Sequence, residues 1–204
     1  MREILLATKN PGKAREMREI LAGDTIRWRE LATCDDFPEP EETGVTFLEN
    51  AAIKAHYYSQ QTGLWTIADD SGLEVDALNG APGVYSARFA GESKDDQANN
   101  RLLVERLKGI PAERRTARFR CAVVLSDGQA VLAAAEGAVE GRIIDEPRGD
   151  NGFGYDPHFW VDRFGMTTAE MSPEQKHTIS HRGTALRALR QKLADGVLTS
   201  RRTM

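Results

Sequence analysis

Ile4-Leu5-Leu6-Ala7-Thr8-Lys9-Asn10-Pro11-Gly12-Lys13 passes from an apolar run, through a turn signal, into a helix. Ile4 to Ala7 is apolar at consecutive positions, which predicts a short strand buried on both faces. Asn10-Pro11-Gly12 is turn chemistry. Ala14, Met17, Ile20 and Leu21 then recur on one face of a helix. A strand feeding directly into a helix is the opening of an α/β fold.

Outward from there the alternation continues. Thr25 to Leu31 reads as a second strand, and Cys34 to Gly44 as an acidic, proline-containing loop. Thr46-Phe47-Leu48-Glu49 carries a capping-box signature, so a helix should start there, with Leu48, Ala51, Ala52, Ala55 and Tyr58 as its apolar stripe and Gly63 as its stop. Trp65 to Ala68 reads as a strand ending at Asp69-Asp70-Ser71-Gly72, followed by a separate short strand at Leu73, Val75 and Ala77. Asn79 to Gly91 reads as a loop, and Ser93 as the cap of a helix carrying Leu102, Leu103 and Leu107. Phe119–Leu125 and Ala130–Ala138 form a strand pair across Asp127-Gly128. A Gly-rich loop spans 147–157, His158 to Val161 is a short strand, Ser172-Pro173 opens a helix, and a last helix runs from Arg182 to Leu193.

The chain has 204 residues, 40% of them hydrophobic and 28% charged, as in an ordinary globular protein with its own core. No apolar run approaches the roughly 18 residues of a membrane span. Two cysteines, Cys34 and Cys121, make no disulfide framework. A cytoplasmic location is expected from these features. Net charge is −4, with Lys and Arg scattered rather than striped, so long nucleic acid is an unsuitable partner. A small anion met by a few placed cations remains suitable. His158, His177 and His181 have no zinc-like spacing.

Four segments carry candidate chemistry. Thr8, Lys9, Asn10, Pro11, Gly12 and Lys13 lie at a helix N-terminus, where free N–H groups and a dipole suit phosphate. Lys13 opposes that dipole, a local cost that an anion relieves. The same residues also serve as an Asn N-cap with Pro at the first helical position, and both readings hold together. Asp69-Asp70-Ser71-Gly72 offers a hard oxygen site for Mg2+ or, alternatively, an Asx turn. Successive strand residues face opposite ways, so one of the two carboxylates should face a ligand. Lys54, beside Asn50, is either a partner of these carboxylates or a solvated lysine.

In the Gly-rich loop, Phe153 or Tyr155 suits stacking on a purine, and Asp156 suits ring N–H groups. A plain packed loop explains the segment as well. Lys176, His181 and Arg182 gather cations near a helix start, and the arginine fork suits keto oxygens.

In order along the chain, ATKNPGK, EETGVTFLENAAIKA, IADDSGLEVDALNGAPGVYSARFAG, NGFGYDP and SHRGTAL resemble the inosine/xanthosine triphosphate pyrophosphatases. The resemblance spans about Ile4 to Leu193. It implies hydrolysis of ITP, dITP and XTP to the monophosphate and pyrophosphate, Mg2+ dependence and a homodimer. It also implies an elongated, two-lobed α/β domain over 1–195, with a central mixed sheet flanked by helices and a substrate cleft between the lobes. Residues 196–204 are expected to be a flexible basic tail. By position, Thr8, Asn10 and Lys13 match the triphosphate segment, and Asp70 matches the general base and metal ligand. Ser71 matches its substrate-binding neighbour. Glu42 matches a metal-binding acid, with Asp69 in support, and Lys54 a lysine near the phosphates. Phe153, Gly154, Tyr155 and Asp156 match the base loop, and Lys176, His181 and Arg182 further nucleotide contacts. Lys9 stands where many members have glycine. Two alternatives are a pyrophosphatase with another base preference and a non-catalytic nucleotide-binding module.

Overall fold

The structure, a computed structural model, describes residues 3–21, 26–34 and 37–194. The expected tail at 196–204 lies outside them, as do Thr25, at the start of the expected second strand, and Asp35 and Asp36 of the acidic loop.

Seven strands form one mixed sheet in the order β2-β1-β3-β4-β5-β6-β7. They are β1 (Glu3–Leu6), β2 (Arg27–Glu30), β3 (Trp65–Val75), β4 (Thr116–Ser126), β5 (Val131–Ile143), β6 (Phe159–Val161) and β7 (Met166–Thr167). The helices are α1 (Pro11–Leu21), α2 (Phe47–Thr62), α3 (Asp96–Arg106), α4 (Pro173–Ile179) and α5 (His181–Lys192). β1 runs parallel to both β2 and β3, whereas β6 is antiparallel to β5 and β7. The expected mixed α/β sheet flanked by helices is the one observed.

The chain divides into two compact units. The first comprises Met1–Asp70, Cys121–Gly137 and Arg182–Met204. Its core joins Ile4 and Leu6 of β1, Met17 and Leu21 of α1, and Ala185, Leu186 and Leu189 of α5. These are the apolar positions read from the sequence, and burying the Ile, Leu and Met side chains among them contributes about 1.5–3 kcal/mol each. The second unit comprises Ser71–Arg120 and Ala138–His181. Its core is built on Leu73, Leu103, Phe119 and Phe159.

Local signals account for several boundaries. Thr46 accepts from the Glu49 N–H while Glu49 returns to the Thr46 N–H, so the capping box starts α2 as expected. Gly63 ends it in the left-handed conformation, with φ of +67°. A second capping box, Ser172 with Gln175, starts α4.

Three expectations are corrected. Asp69-Asp70-Ser71-Gly72 is not a turn between two strands, because β3 runs unbroken from Trp65 to Val75. Burial and strand pairing override the turn propensity of Asp-Ser-Gly. Asp95, not Ser93, caps α3, accepting from the Gln97 and Ala98 N–H groups. Leu48 is exposed, and the buried face of α2 instead carries Phe47, Asn50 and Ser59 alongside Ala51, Ala55 and Tyr58.

Candidate active site

In the first unit, β3 delivers two adjacent carboxylates, and strand alternation sends them to different partners. Asp69 accepts from Arg182 Nε at 3.1 Å and lies 3.2 Å from Lys13 Nζ. Asp70 accepts from Lys54 Nζ at 3.0 Å through Oδ1 and from Asn50 Nδ2 at 3.2 Å through Oδ2.

Asp69 is 2% exposed. Burial opposes its charge, but Lys13 and Arg182 outweigh burial and hold the carboxyl well below the usual range. Arg182, 1% exposed, also donates through Nη1 to the buried Glu16 of α1. Burial opposes its charge too, and Asp69 and Glu16 more than compensate, so the guanidinium is held firmly protonated. Two of its donors are thus committed to carboxylates, and it anchors the start of α5 to Asp69 and to Glu16 of α1. Cys121 lies beside the same carboxylate, and burial pushes its thiol well above the ordinary range.

Lys54 is not a solvated lysine. Its side chain is 13% exposed and lies 3.3 Å from Glu42 as well as against Asp70. Burial disfavours its charge, but Asp70, Glu42 and Asp69 outweigh burial and raise its pKa. Asn50, one helical turn before it, is buried and completes the grip on Asp70. Its Oδ1 accepts from the Gly44 N–H at 2.8 Å. A Cβ at Gly44 would stand 2.6 Å from that oxygen, so only glycine permits the contact. Asn50 thereby ties the Glu42 segment to Asp70.

Asp70 and Glu42 share Lys54, whereas Asp69 leaves the other face of β3. Among the described residues, no three His, Cys, Asp or Glu side chains are grouped to hold a metal ion. The expected set of Asp70, Glu42 and Asp69 is therefore not gathered as one cluster. Two carboxylates suffice for Mg2+ when substrate phosphates and waters complete its shell. Asp70 and Glu42 fit that demand, and Asp69 does not.

At the start of α1, Asn10 Oδ1 accepts from the Lys13 N–H at 3.0 Å, and the Asn10 N–H donates to Thr8 Oγ1 at 3.2 Å. The Asn cap with Pro11 at the first helical position is thus present. Lys9 Nζ donates to the Phe37 carbonyl at 2.8 Å, tying this loop to the segment ahead of Glu42.

The second unit holds the other candidates. Asp156 is buried, and both of its oxygens accept from the protein: Oδ2 from the Phe153 N–H at 2.9 Å and Lys176 Nζ at 2.7 Å, Oδ1 from Thr168 Oγ1 at 2.7 Å. It organises its loop. Gly152, with φ of +81°, has to be glycine there, since a Cβ would meet Asp156 Oδ2 at 2.1 Å. Tyr155 is buried and donates to the Ser86 carbonyl at 2.8 Å, so of the two aromatic candidates Phe153 is the more open. Lys176 lies over the Phe153 ring, 5.1 Å from its centroid. His181 stacks on Phe119 with centroids 5.0 Å apart.

Residues 4–192 match the Ham1 family model. The chain belongs to the Ham1 family. The Ham1 match covers the segments of both units described above. A dITP/XTP pyrophosphatase of Bacillus cereus is 48% identical over 203 residues, 97% of this chain and 98% of that protein. A HAM1 protein of Coxiella burnetii is similar in structure, with a TM-score of 0.87 and 43% identity over 96% of this chain and all of that one. A Staphylococcus aureus Ham1 protein has a TM-score of 0.84 and 41% identity, covering 95% and 99% of the two chains.

Sequence reasoning missed five residues in this Ham1 chain. Asn50 was signalled by its spacing of four from Lys54, and Glu16 by its spacing of three from Lys13. Asp96 and Asn100, whose side chains reach Gly154, were signalled by a spacing of four on α3. Thr168 carried no signal.

Proposed function

We propose that this chain is a nucleoside triphosphate pyrophosphatase. It hydrolyses non-standard purine nucleotides (ITP, dITP and XTP) to the monophosphate and pyrophosphate. The observation that carries this reading is Asp70. It is a buried carboxylate gripped through both oxygens by Lys54 and Asn50, one residue from a second carboxylate that holds Lys13. Membership of a family whose relatives include dITP/XTP pyrophosphatases supports it.

In the first unit, Lys13 and the Thr8–Gly12 loop, exposed at Lys9, Asn10 and Pro11, receive the triphosphate. Asp70 orients the attacking water and takes its proton. The water oxygen bonds to the α-phosphorus, the bond from that phosphorus to the bridging oxygen breaks, and pyrophosphate leaves with the bonding pair. Lys13 and Lys54 stabilise the charge that develops on the phosphate oxygens. Asp70 and Glu42 would hold Mg2+, which supplies Lewis-acid polarisation of those oxygens when bound. Ser71, the residue after Asp70 in β3, belongs to the second unit and is proposed as a substrate-binding residue.

In the second unit, the Phe153 ring receives the purine and Lys176 keeps Asp156 and the loop in register. His181 donates to the 6-keto oxygen, an acceptor that adenine replaces with an amino donor. The active species is proposed to be a homodimer, which light scattering would register as twice the chain mass. Among the described residues, no helix is long and apolar enough to cross a membrane.

Hydrolysis of ITP in isotopically labelled water tests the reaction. Label in the monophosphate is the expected outcome; label only in pyrophosphate or free phosphate places attack elsewhere and overturns the proposed step.

A further inference from the structure

Gly154 is held at both of its backbone polar groups by one helix. Its N–H donates to Asp96 Oδ2 at 2.7 Å, and its carbonyl accepts from Asn100 Nδ2 at 2.9 Å. Asp96 and Asn100 stand four apart on α3, so they share a face. Asp95 caps α3, accepting from the Gln97 and Ala98 N–H groups, and Asp96 reaches across to the loop. The contact from Asp96 is charge-assisted, the stronger kind.

The neighbours of Gly154 have other anchors. Tyr155 is fixed through its hydroxyl on Ser86, and Asp156 through Lys176 and Thr168. Gly154 has no side chain, takes a φ of +63°, and directly follows Phe153. The α3 clamp therefore holds both peptides that flank the Gly154 Cα: Asp96 the one shared with Phe153, from which that ring is carried, and Asn100 the one shared with Tyr155.

We propose that Asp96 and Asn100 are positioning residues for base selection: by fixing the two peptides that meet at Gly154, they set where the Phe153 ring stands and so how well a 6-keto purine is told from a 6-amino purine. The proposal rests on the reading that Phe153 receives the purine. Neither residue touches the base. They act through the loop, where a displacement of about 1 Å is enough to weaken a contact that depends on alignment.

The test compares wild type with Asp96→Ala, Asn100→Ala, Asp96→Asn and Phe153→Ala. For each, kcat and KM are measured with ITP and with ATP, together with inhibition by inorganic tripolyphosphate and the melting temperature. In the two alanine variants of the clamp, the KM for ITP rises about tenfold, as expected for losing a hydrogen bond to a charged or tightly packed group. The ITP-over-ATP preference narrows with it, while kcat and tripolyphosphate inhibition hold. Asp96→Asn keeps an oxygen acceptor for the Gly154 N–H and retains most of the affinity. Unchanged KM and preference in both alanine variants overturn the proposal when Phe153→Ala weakens ITP. Equal weakening of ITP and tripolyphosphate also overturns it, since that marks a general loss of structure. Full ITP affinity in Phe153→Ala brings down the stacking premise itself, and the proposal with it.

Discussion

Asp69 and Asp70, consecutive in β3, serve opposite faces of the strand: Asp69 meets Lys13 and Arg182, and Asp70 meets Lys54 and Asn50. One residue's separation thus divides an electrostatic anchor from a chemical group. Asp69 is enclosed by cations in the protein. Asp70 stands with Glu42 on the side of Lys54.

The two asparagine substitutions should separate accordingly. Asp70→Asn abolishes pyrophosphate release and leaves the melting temperature close to wild type. Asp69→Asn removes the carboxylate shared by Lys13 and Arg182, leaving Arg182 with Glu16 alone, and destabilises the fold by about 3 kcal/mol, the scale for breaking a buried pair. Urea unfolding and turnover assays on both variants check this. Retained turnover in Asp70→Asn removes it from the catalytic role.

The pH dependence of stability follows from the same pair. The Asp69 carboxyl is held below its unfolded value, because Lys13 and Arg182 overcome the effect of burial. Its stabilising contribution is therefore present above about pH 4 and is lost as the pH falls toward the folded value. Denaturation midpoints should hold level from pH 7 to about pH 4 for wild type and then fall progressively as the pH is lowered to about 2. Asp69→Asn, weaker at neutral pH, should give a flatter curve. Parallel curves would contradict this assignment.

Asn50→Asp tests the grip on Asp70 from α2. The aspartate keeps an acceptor for the Gly44 N–H but replaces the donor to Asp70 with a carboxylate. We expect kcat to fall about tenfold or more at saturating ITP and Mg2+, the scale for a misplaced reacting group. Gly44→Ala, whose Cβ would collide with Asn50 Oδ1, should reproduce the loss. Wild-type kcat in both variants would reduce Asn50 to a peg for the 44–46 segment.

Arg182→Ala should act on stability before it acts on base choice. It leaves the buried Glu16 without the guanidinium and Asp69 with Lys13 alone, at a cost of about 3–5 kcal/mol. Thermal unfolding checks this. A variant that unfolds like wild type would contradict the anchor role.

The sequence carried the fold where side-chain periodicity and capping chemistry agreed. The strand–turn–helix at Ile4–Leu21 and the capping boxes at Thr46 and Ser172 are examples. It misled at Asp69–Gly72, where local turn propensity lost to burial inside a continuous strand. The residue pattern left Lys54 as either a partner of the carboxylates or a solvated lysine, and only the family resemblance placed it near the phosphates. Its burial depends on Asp70 and Glu42, whose approach no local pattern encodes. The same holds for Arg182, whose partner Glu16 lies 166 residues away. Asp156 carried the opposite lesson: its residue type suggested a ligand contact, but Lys176, Thr168 and the Phe153 N–H already occupy its oxygens.

Product analysis of the purified protein with Mg2+ and ITP, XTP, dITP, ATP or GTP tests the central claim most directly. The account predicts pyrophosphate and monophosphate from ITP, XTP and dITP, and little of either from ATP and GTP. Free phosphate in place of pyrophosphate, or binding of ITP with no release of either, would contradict it.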